Sequence, residues 1–591
     1  MKKLFLAITV LASGFAVQAQ VKHQAHGYPI DPVPFTSVKV TDAFWGQRLD
    51  ASRKVTIPLA FSKCEETGRY RNFINAAHPS DTITVGGFSF DDTDVYKTIE
   101  GASYLLQTYP DKKLSKYIDS VLVIVAAAQE PDGYLYTSRT MNPKHPHEWA
   151  GSKRWEKVED LSHEFYNLGH MVEGAIAHYQ ATRKRNFLDI AIRYADCVCR
   201  EIGPNPGQLV RVPGHQIAEM ALAKLYLVTG QQKYLDQAKF FLDERGHTSR
   251  TDEYSQAHKP VIQQDEAVGH AVRAAYMYAG MADVAALTGD TSYIHAIDRI
   301  WDNIVGKKYY ITGGIGATAS GEAFGKNYEL PNMSAYCETC AAIGNVYVNY
   351  RLFLLHGDAK YYDVLERTLY NGLISGVSLD GGSFFYPNPL ESMGQHQRQP
   401  WFGCACCPSN ICRFIPSLPG YIYAVKDRDV YVNLFMSNTS DLKMLKNYSD
   451  TSYVKKIVKN HEKQGYFTDV INGEKLFFVY TAADKYGWQY VSITKYSQLL
   501  SSVNWMQMLT IFLNVIFVMV GIFTAFFATR WIYNPINEME ADIKELQDEK
   551  RSAKRVLKKV YVNDLLSGKE GYDHENLFQS FANINMKIDF T

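Results

Sequence analysis

The chain has no excess of either charge: lysines plus arginines number 62, and aspartates plus glutamates also number 62. That balance offers no sequence-wide field for a polyanion, so nucleic acid is excluded as an expected partner. Cysteine is sparse too, nine in 591 residues, which is too few for the disulfide framework of a small secreted scaffold. The glycine-rich stretch ITGGIGATASGEAF (311–324) lacks the Gly-Lys-Ser/Thr that a phosphate-binding loop requires. No kinase or helix-turn-helix module is recognisable in the tail up to Thr591.

Aromatic residues, in contrast, are abundant, with 40 Tyr, 30 Phe and 8 Trp. They suit a large core, and Tyr and Trp also suit surfaces that stack against sugars. The N-terminus, MKKLFLAITVLASGFAVQAQ, has two lysines, an apolar stretch and a small-residue cleavage site. It reads as a secretory signal peptide over residues 1–19, so the fold should begin near Gln20.

A weak repeat runs through the first two thirds. ATRKRNFLDIA, VTGQQKYLDQA, LTGDTSYIHAI and LHGDAKYYDVL each place an aromatic (Phe187, Tyr234, Tyr293, Tyr361) five residues after a Thr or His. Gly230, Gly289 and Gly357 suit left-handed helix ends, and apolar residues recur at helical spacing on either side. QTYPDKKLSKYI resembles a degenerate fifth copy. Stacked helical hairpins follow, as a solenoid or a closed α/α barrel. Long loops rich in Gly, His and acids favour the barrel, because they can converge on one mouth.

Near residue 445 the character changes. Residues 486–496 and the run Phe477-Phe478-Val479-Tyr480 read as strands, with a turn at Asn472-Gly473. Residues 505–529 carry no charged side chain and are long enough to cross a bilayer. A signal peptide ahead of such a span would put the body outside, periplasmic or extracellular, and the tail at 530–591 in the cytoplasm. The segment IKELQDEKRSAKRVLKKV interleaves acids and bases, as an exposed or coiled-coil helix does.

Six cysteines fall in two stretches. YCETCA (336–341) holds Cys337, Glu338 and Cys340, and WFGCACCPSN (401–410) holds Cys404, Cys406 and Cys407, with Cys412 just beyond. Glu338 and Cys340 would point together on an extended segment, and Pro408 disfavours helical geometry at Cys407, which places the adjacent pair on a loop. A disulfide between neighbours would be strained. Spacing leaves three readings open: a structural zinc site, disulfides between the stretches, or zinc-held thiolates of which one attacks a substrate. Cys64, Cys197 and Cys199 read as inert.

The surroundings narrow the choice. The glycine-rich loop presents a single acid, Glu322. His163 and His170 (SHEFYNLGH), His215 (VPGHQIAEMA) and His270 (DEAVGHAVR) lie beside glycines at repeat boundaries. A rim of His, Tyr and acids would pair a sugar's hydroxyls, since buried polar groups need partners.

These motifs resemble glycoside hydrolase family 127, the β-L-arabinofuranosidases. GxGxxxxGExF at 314–324, YCETCA and WFGCACCPSN carry the likeness, joined by FDDTDVYKTIEGASY (90–104) and QEPDGYLYT (129–137), over about residues 34–445. The resemblance implies a mainly α chain whose residues 20–445 form an (α/α)6 barrel. It implies Zn2+ held by Glu338, Cys340, Cys406 and Cys407, with Cys406 as nucleophile and Glu322 as general acid/base. It further implies that His163, His215, His270 and Tyr386 contact the sugar of an oligo- or polysaccharide, and that Cys337 and Cys404 are neighbours only. Family members continue into β-sandwich domains. Here residues 446–500 instead resemble a short α+β fragment of an extracytoplasmic sensor, which with the membrane span is similar to a membrane-bound regulator. The chain therefore reads as a fusion of two partial genes, and a non-catalytic membrane-bound sugar sensor is the alternative function.

Overall fold

Inner and outer helices alternate along the first two thirds of the chain because their sequences differ in which faces they can bury. The computed structural model describes residues 27–40, 42–426, 429–432, 464–471, 473–483, 488–527, 530–531 and 534–567. The expected signal peptide and the stretch 433–444, where the family likeness ends, lie outside the described residues. Two units are distinguished, Met1–Lys459 and Asn460–Thr591.

In the first unit, α1 (Ile57–Glu66) and α2 (Arg69–Ala77) lead into five hairpins: α3 (Asp92–Thr108) with α4 (Lys112–Ala127), α5 (Glu164–Thr182) with α6 (Asn186–Glu201), α7 (Ala218–Thr229) with α8 (Gln232–Glu244), α9 (Ala271–Thr288) with α10 (Thr291–Asn303), and α11 (Thr339–His356) with α12 (Ala359–Arg367). The last barrel helix is α13 (Cys406–Ser417). Helix α3 packs on α5, α5 on α7, α7 on α9, α9 on α11, α11 on α13, and α13 returns to α3. That is a closed inner ring of six. Helix α1 packs on both α3 and α13, filling the outer position that the last pair lacks.

The inner helices are buried on every face, as in α9, where all residues from Ala271 to Leu287 are buried. Small residues let neighbours approach. A Cβ at Gly280 of α9 would come within 2.8 Å of Glu219 Cβ on α7, and one at Gly101 of α3 would collide with the Cys412 carbonyl of α13. Outer helices bury one stripe only: α6 hides Phe187, Leu188, Ala191, Tyr194, Ala195 and Val198, the three-and-four spacing of an amphipathic helix.

The repeat marks the turn between the helices of a pair. Helices α7, α9 and α11 end on Gly230, Gly289 and Gly357 at φ 70°, 76° and 69°, as left-handed caps require. Helix α5 ends on Arg183 at φ 62°. The repeated aromatics Phe187, Tyr234, Tyr293 and Tyr361 are all buried. In the degenerate copy α3 ends on Tyr109 without a left-handed cap, and Asp111 opens α4, its carboxylate accepting from the Lys113 and Leu114 N–H groups.

A small antiparallel sheet of β1 (Asp31–Pro32), β2 (Tyr423–Lys426) and β3 (Asp429–Val432) pairs Asp31 with Val425 and Ala424 with Tyr431. It joins the two ends of the barrel sequence.

The second unit holds a separate antiparallel meander, β4 (Gln464–Ile471), β5 (Glu474–Ala483) and β6 (Trp488–Lys495), with Phe467 opposite Phe478 and Phe478 opposite Ile493. Helix α14 (Tyr496–Phe527) follows, and its segment Thr510–Phe527 is long and apolar enough to cross a membrane. Helix α15 (Asn534–Leu566) exposes Ile536, Met539, Ile543 and Leu546 at three-and-four spacing.

Candidate active site at the inner-helix N-termini

Each inner helix brings chemistry to its N-terminal end. Asp92 opens α3, His163 caps α5 at φ 64°, and His215 lies three residues before α7. His270 caps α9, Glu338 caps α11, and Cys406 is the first residue of α13. Six positive helix ends therefore converge, an arrangement that favours anions.

Cys340 Sγ lies 3.2 Å from Cys407 Sγ, and Cys406 Sγ 4.0 Å from it. Glu338 Oε1 is 3.6 Å from Cys406 Sγ and 3.4 Å from Cys407 Sγ. The four donor atoms all fall within 4.8 Å of one another. Two local expectations are corrected here. Cys406 and Cys407 occupy the first turn of α13 and not a loop, because Pro408 sits third in that helix, where a missing N–H costs nothing. Glu338 and Cys340 do not share an extended strand; they meet as the cap and second residue of α11.

Burial pushes the Glu338 carboxyl well above the ordinary carboxylate range, with Glu322 and Cys406 adding like charge. Burial, and then its thiol neighbours, pushes the Cys407 thiol up as well. At Cys340 burial acts in the same direction, but S–H donors from Cys406 and Cys407 outweigh it and bring the thiol down. Glu338 Oε2 has no hydrogen-bond partner. A buried carboxyl with an orphaned oxygen beside three thiols needs a cation to ionise fully. The residues therefore fit a metal ion, and the sulfur-rich donor set fits a borderline-soft one. All nine cysteines are unpaired. Cys404 Sγ stands 3.9 Å from Cys406 Sγ but outside the four, while Cys337 is buried apart from them, its thiol pushed up to about 12 by burial.

Glu322 is positioned from two sides. His270 Nδ1 accepts from the Val272 and Arg273 N–H groups, so its proton sits on Nε2 and is donated to Glu322 Oε2 at 2.8 Å. Tyr336 OH donates to Oε1 at 2.8 Å. Burial raises the Glu322 carboxyl, but these two donors and Arg273 outweigh it and hold it below its usual value. Carboxyl oxygens of Glu322 and Glu338 lie within 4.8 Å of each other, so the acid and the thiol cluster share one pocket.

A wall of rings completes the pocket: His163 and His215 are 5.8 Å apart, His215 and His270 5.5 Å, and Tyr166 packs on His215 at 4.3 Å. Burial pulls the His163 imidazolium down to about 3 and His215 well below its ordinary value, with Arg273 reinforcing both. Neutral imidazoles offer one donor and one acceptor each. Tyr386 OH is 2.9 Å from Cys406 Sγ. All sequence-derived site residues thus gather in one place. His170, also buried, lies deeper, its ring 4.5 Å from that of Tyr166.

Several participants carried no signal of their own. Tyr336 lay inside the quoted cysteine motif without a role. Lys97, fully buried on α3, donates to Tyr166 OH at 3.0 Å. Arg69 grips Asp94 at 3.1 Å and the Gly403 carbonyl at 2.9 Å, and Ser409 Oγ donates to Asp94 at 3.1 Å. These contacts pin the cysteine segment, and only the FDDTD stretch hinted at them.

A closed ring of six helices that aims an acid, a histidine wall and a carboxylate–trithiol cluster into one pocket defines an (α/α)6-barrel protein with a metal-competent centre. The family model for the β-L-arabinofuranosidase GH127 catalytic domain matches residues 37–420, and the chain belongs to that family. It is 37% identical over 389 residues, 60% of its length, to the non-reducing end β-L-arabinofuranosidase of Bifidobacterium longum subsp. longum, of which it spans 58%. Among solved structures it is similar to the GH127 β-arabinofuranosidase BT3674, with 74% identity, a TM-score of 0.70, and coverage of 79% of this chain and 70% of that one. It is also similar to Ara127N-Se, a GH127 β-L-arabinofuranosidase from Geobacillus stearothermophilus T6. There the identity is 36%, the TM-score 0.64, and the coverage 78% and 73%.

Proposed function

We propose that the barrel is a retaining glycosidase that removes terminal β-L-arabinofuranosyl, or a related furanosyl, residues from plant-type glycans. The observation that carries the reading is the convergence of Glu322 with the Cys406 cluster in one buried pocket. Cys406 Sγ attacks the anomeric carbon while Glu322 gives a proton to the departing oxygen, leaving the glycosyl group on sulfur as a thioether. Glu322 then takes a proton from water, whose oxygen attacks the same carbon as the C–S bond breaks. Two displacements restore the starting configuration. His163, His215, His270 and Tyr386 pair with the sugar hydroxyls. Glu338, Cys340, Cys406 and Cys407 would hold Zn2+, which when bound supplies the positive charge that keeps thiols deprotonated at neutral pH.

The span at 505–529 would tether this barrel to a membrane, with the glycan-binding side outside. The apolar Thr510–Phe527 segment supports a crossing there. The test is Cys406→Ser assayed on an aryl β-L-arabinofuranoside. Loss of about 10^4-fold or more in kcat is the expected outcome, and undiminished turnover sinks the assignment. Sugar binding by calorimetry without hydrolysis by the unaltered protein would favour a sensor instead.

A further inference from the structure

The pocket is closed on its inner side. Its deep side is lined by residues with almost no exposure, including Lys97, His170 and Tyr276, each 0% exposed. A terminal sugar seated against Cys406 therefore leaves the rest of its glycan at the mouth. The rings change character there. His163 touches Phe90 at 4.7 Å, Phe90 stacks on Phe88 at 5.3 Å and 24°, and Phe88 meets Trp149 at 6.1 Å. Phe88, Phe90 and Trp149 are half-exposed, unlike the buried histidines they continue.

The platform also borders the nucleophile segment. The ring edge of Phe88 is the sole heavy-atom neighbour, at 4.0 Å, that a Cβ on Gly403 would meet. Gly403 lies three residues before Cys406. The adjoining Phe402, also half-exposed, packs edge-on against Tyr386 at 5.6 Å. Partly exposed aromatic rings, Phe88 and Phe402, thus stand beside Gly403. Trp149 is set in place locally, because its backbone N–H donates to His147 Nδ1 at 3.1 Å, its ring meets that of His147 edge-on at 5.4 Å, and His147 Nε2 sits 3.2 Å from the Gly87 carbonyl.

We propose that Phe88, Phe90 and Trp149 form a stacking subsite for the sugar ring on the leaving side of the cleaved bond. The proposal rests on the glycosidase reading above and extends it to substrate selection. An aromatic face binds the C–H face of a sugar ring without consuming its hydroxyls, so the subsite selects a saccharide leaving group without dictating its hydroxyl pattern.

The experiment compares kcat/KM for a β-L-arabinofuranosyl disaccharide with that for methyl β-L-arabinofuranoside, in the unaltered chain and in Trp149→Ala and Phe88→Ala. Each variant is expected to lower the disaccharide-to-methyl ratio about tenfold, mainly through KM. Trp149→Phe should restore most of it. Equal losses on both glycosides, or no loss on the disaccharide, overturn the subsite. If the unaltered chain cleaves neither glycoside, the hydrolase reading falls and the platform is judged separately by calorimetry. In that case a Trp149→Ala variant that binds disaccharide over L-arabinose with the unaltered preference overturns the proposal, and loss of that preference sustains it.

Discussion

The two ends of the inner helices do different work. At the N-terminal ends His163, His270 and Glu338 occupy cap positions and Cys406 starts its helix, so titratable side chains stand where the helices begin. Among them Glu338 has a carboxyl held far above its usual range by burial and an oxygen without a partner. At the C-terminal ends Gly230, Gly289 and Gly357 turn the chain into the outer helices. There each glycine N–H bonds the carbonyl four residues back, on Tyr226, Ala285 and Phe353. The N-terminal ends gather titratable side chains in one pocket, and the C-terminal ends set the turn through left-handed backbone geometry.

That contrast breaks most visibly at Glu322. Glu322→Gln keeps the hydrogen bonds near His270 and Tyr336 but removes the transferable proton, and should cost about 10^2- to 10^4-fold in kcat on alkyl glycosides. With a dinitrophenyl leaving group, which departs without protonation, the first step should be largely spared, leaving a pre-steady-state burst. A variant with no preference for the better leaving group contradicts the acid/base assignment.

His178, on the far part of α5 away from the site, probes burial without chemistry. Both its ring nitrogens lack partners, and burial holds its imidazolium down at about 4. The unfolded chain takes up that proton near pH 6.5, so stability is full above that value and falls as the pH drops from about 6.5 to about 4. The loss flattens below that window at roughly 3 kcal/mol. His178→Leu should make urea unfolding midpoints less pH-dependent across this interval while leaving glycosidase kinetics alone. An unchanged slope argues against the site's contribution.

The smallest effect belongs to the turning end. A Cβ at Gly230 meets nothing within 4 Å, so Gly230→Ala isolates the left-handed backbone. It should cost about 1 to 2 kcal/mol of stability, read from a denaturant titration, with kcat/KM unaltered. A larger loss, or one accompanied by lost activity, would show that the two ends are not independent.

Much of this barrel can be read along the chain. The aromatic repeat and its glycines mark where each inner helix hands over to an outer one: all four copies end in a left-handed cap, filled by glycine in three and by Arg183 in the fourth. Local geometry at the cysteines is less legible. Pro408 argues against a helix when read alone, yet it stands where a helix has no use for its N–H. Ser409 and Asp94 are 315 positions apart, and no periodicity connects such a pair.

By itself the sequence determined which cysteines, acids and histidines are the candidates for chemistry, where helices stop, and that one stretch near the C-terminus is apolar enough to cross a membrane, because each of these is set by residue type over short spans. Only the tertiary structure decided that six helix N-termini face one pocket, that Glu322 shares a buried volume with three thiols, and that Tyr336, Lys97 and Arg69 serve them. Closing a ring of six helices brings distant residues together, and the cost of burying their charges and unpaired oxygens exists only once water has been excluded.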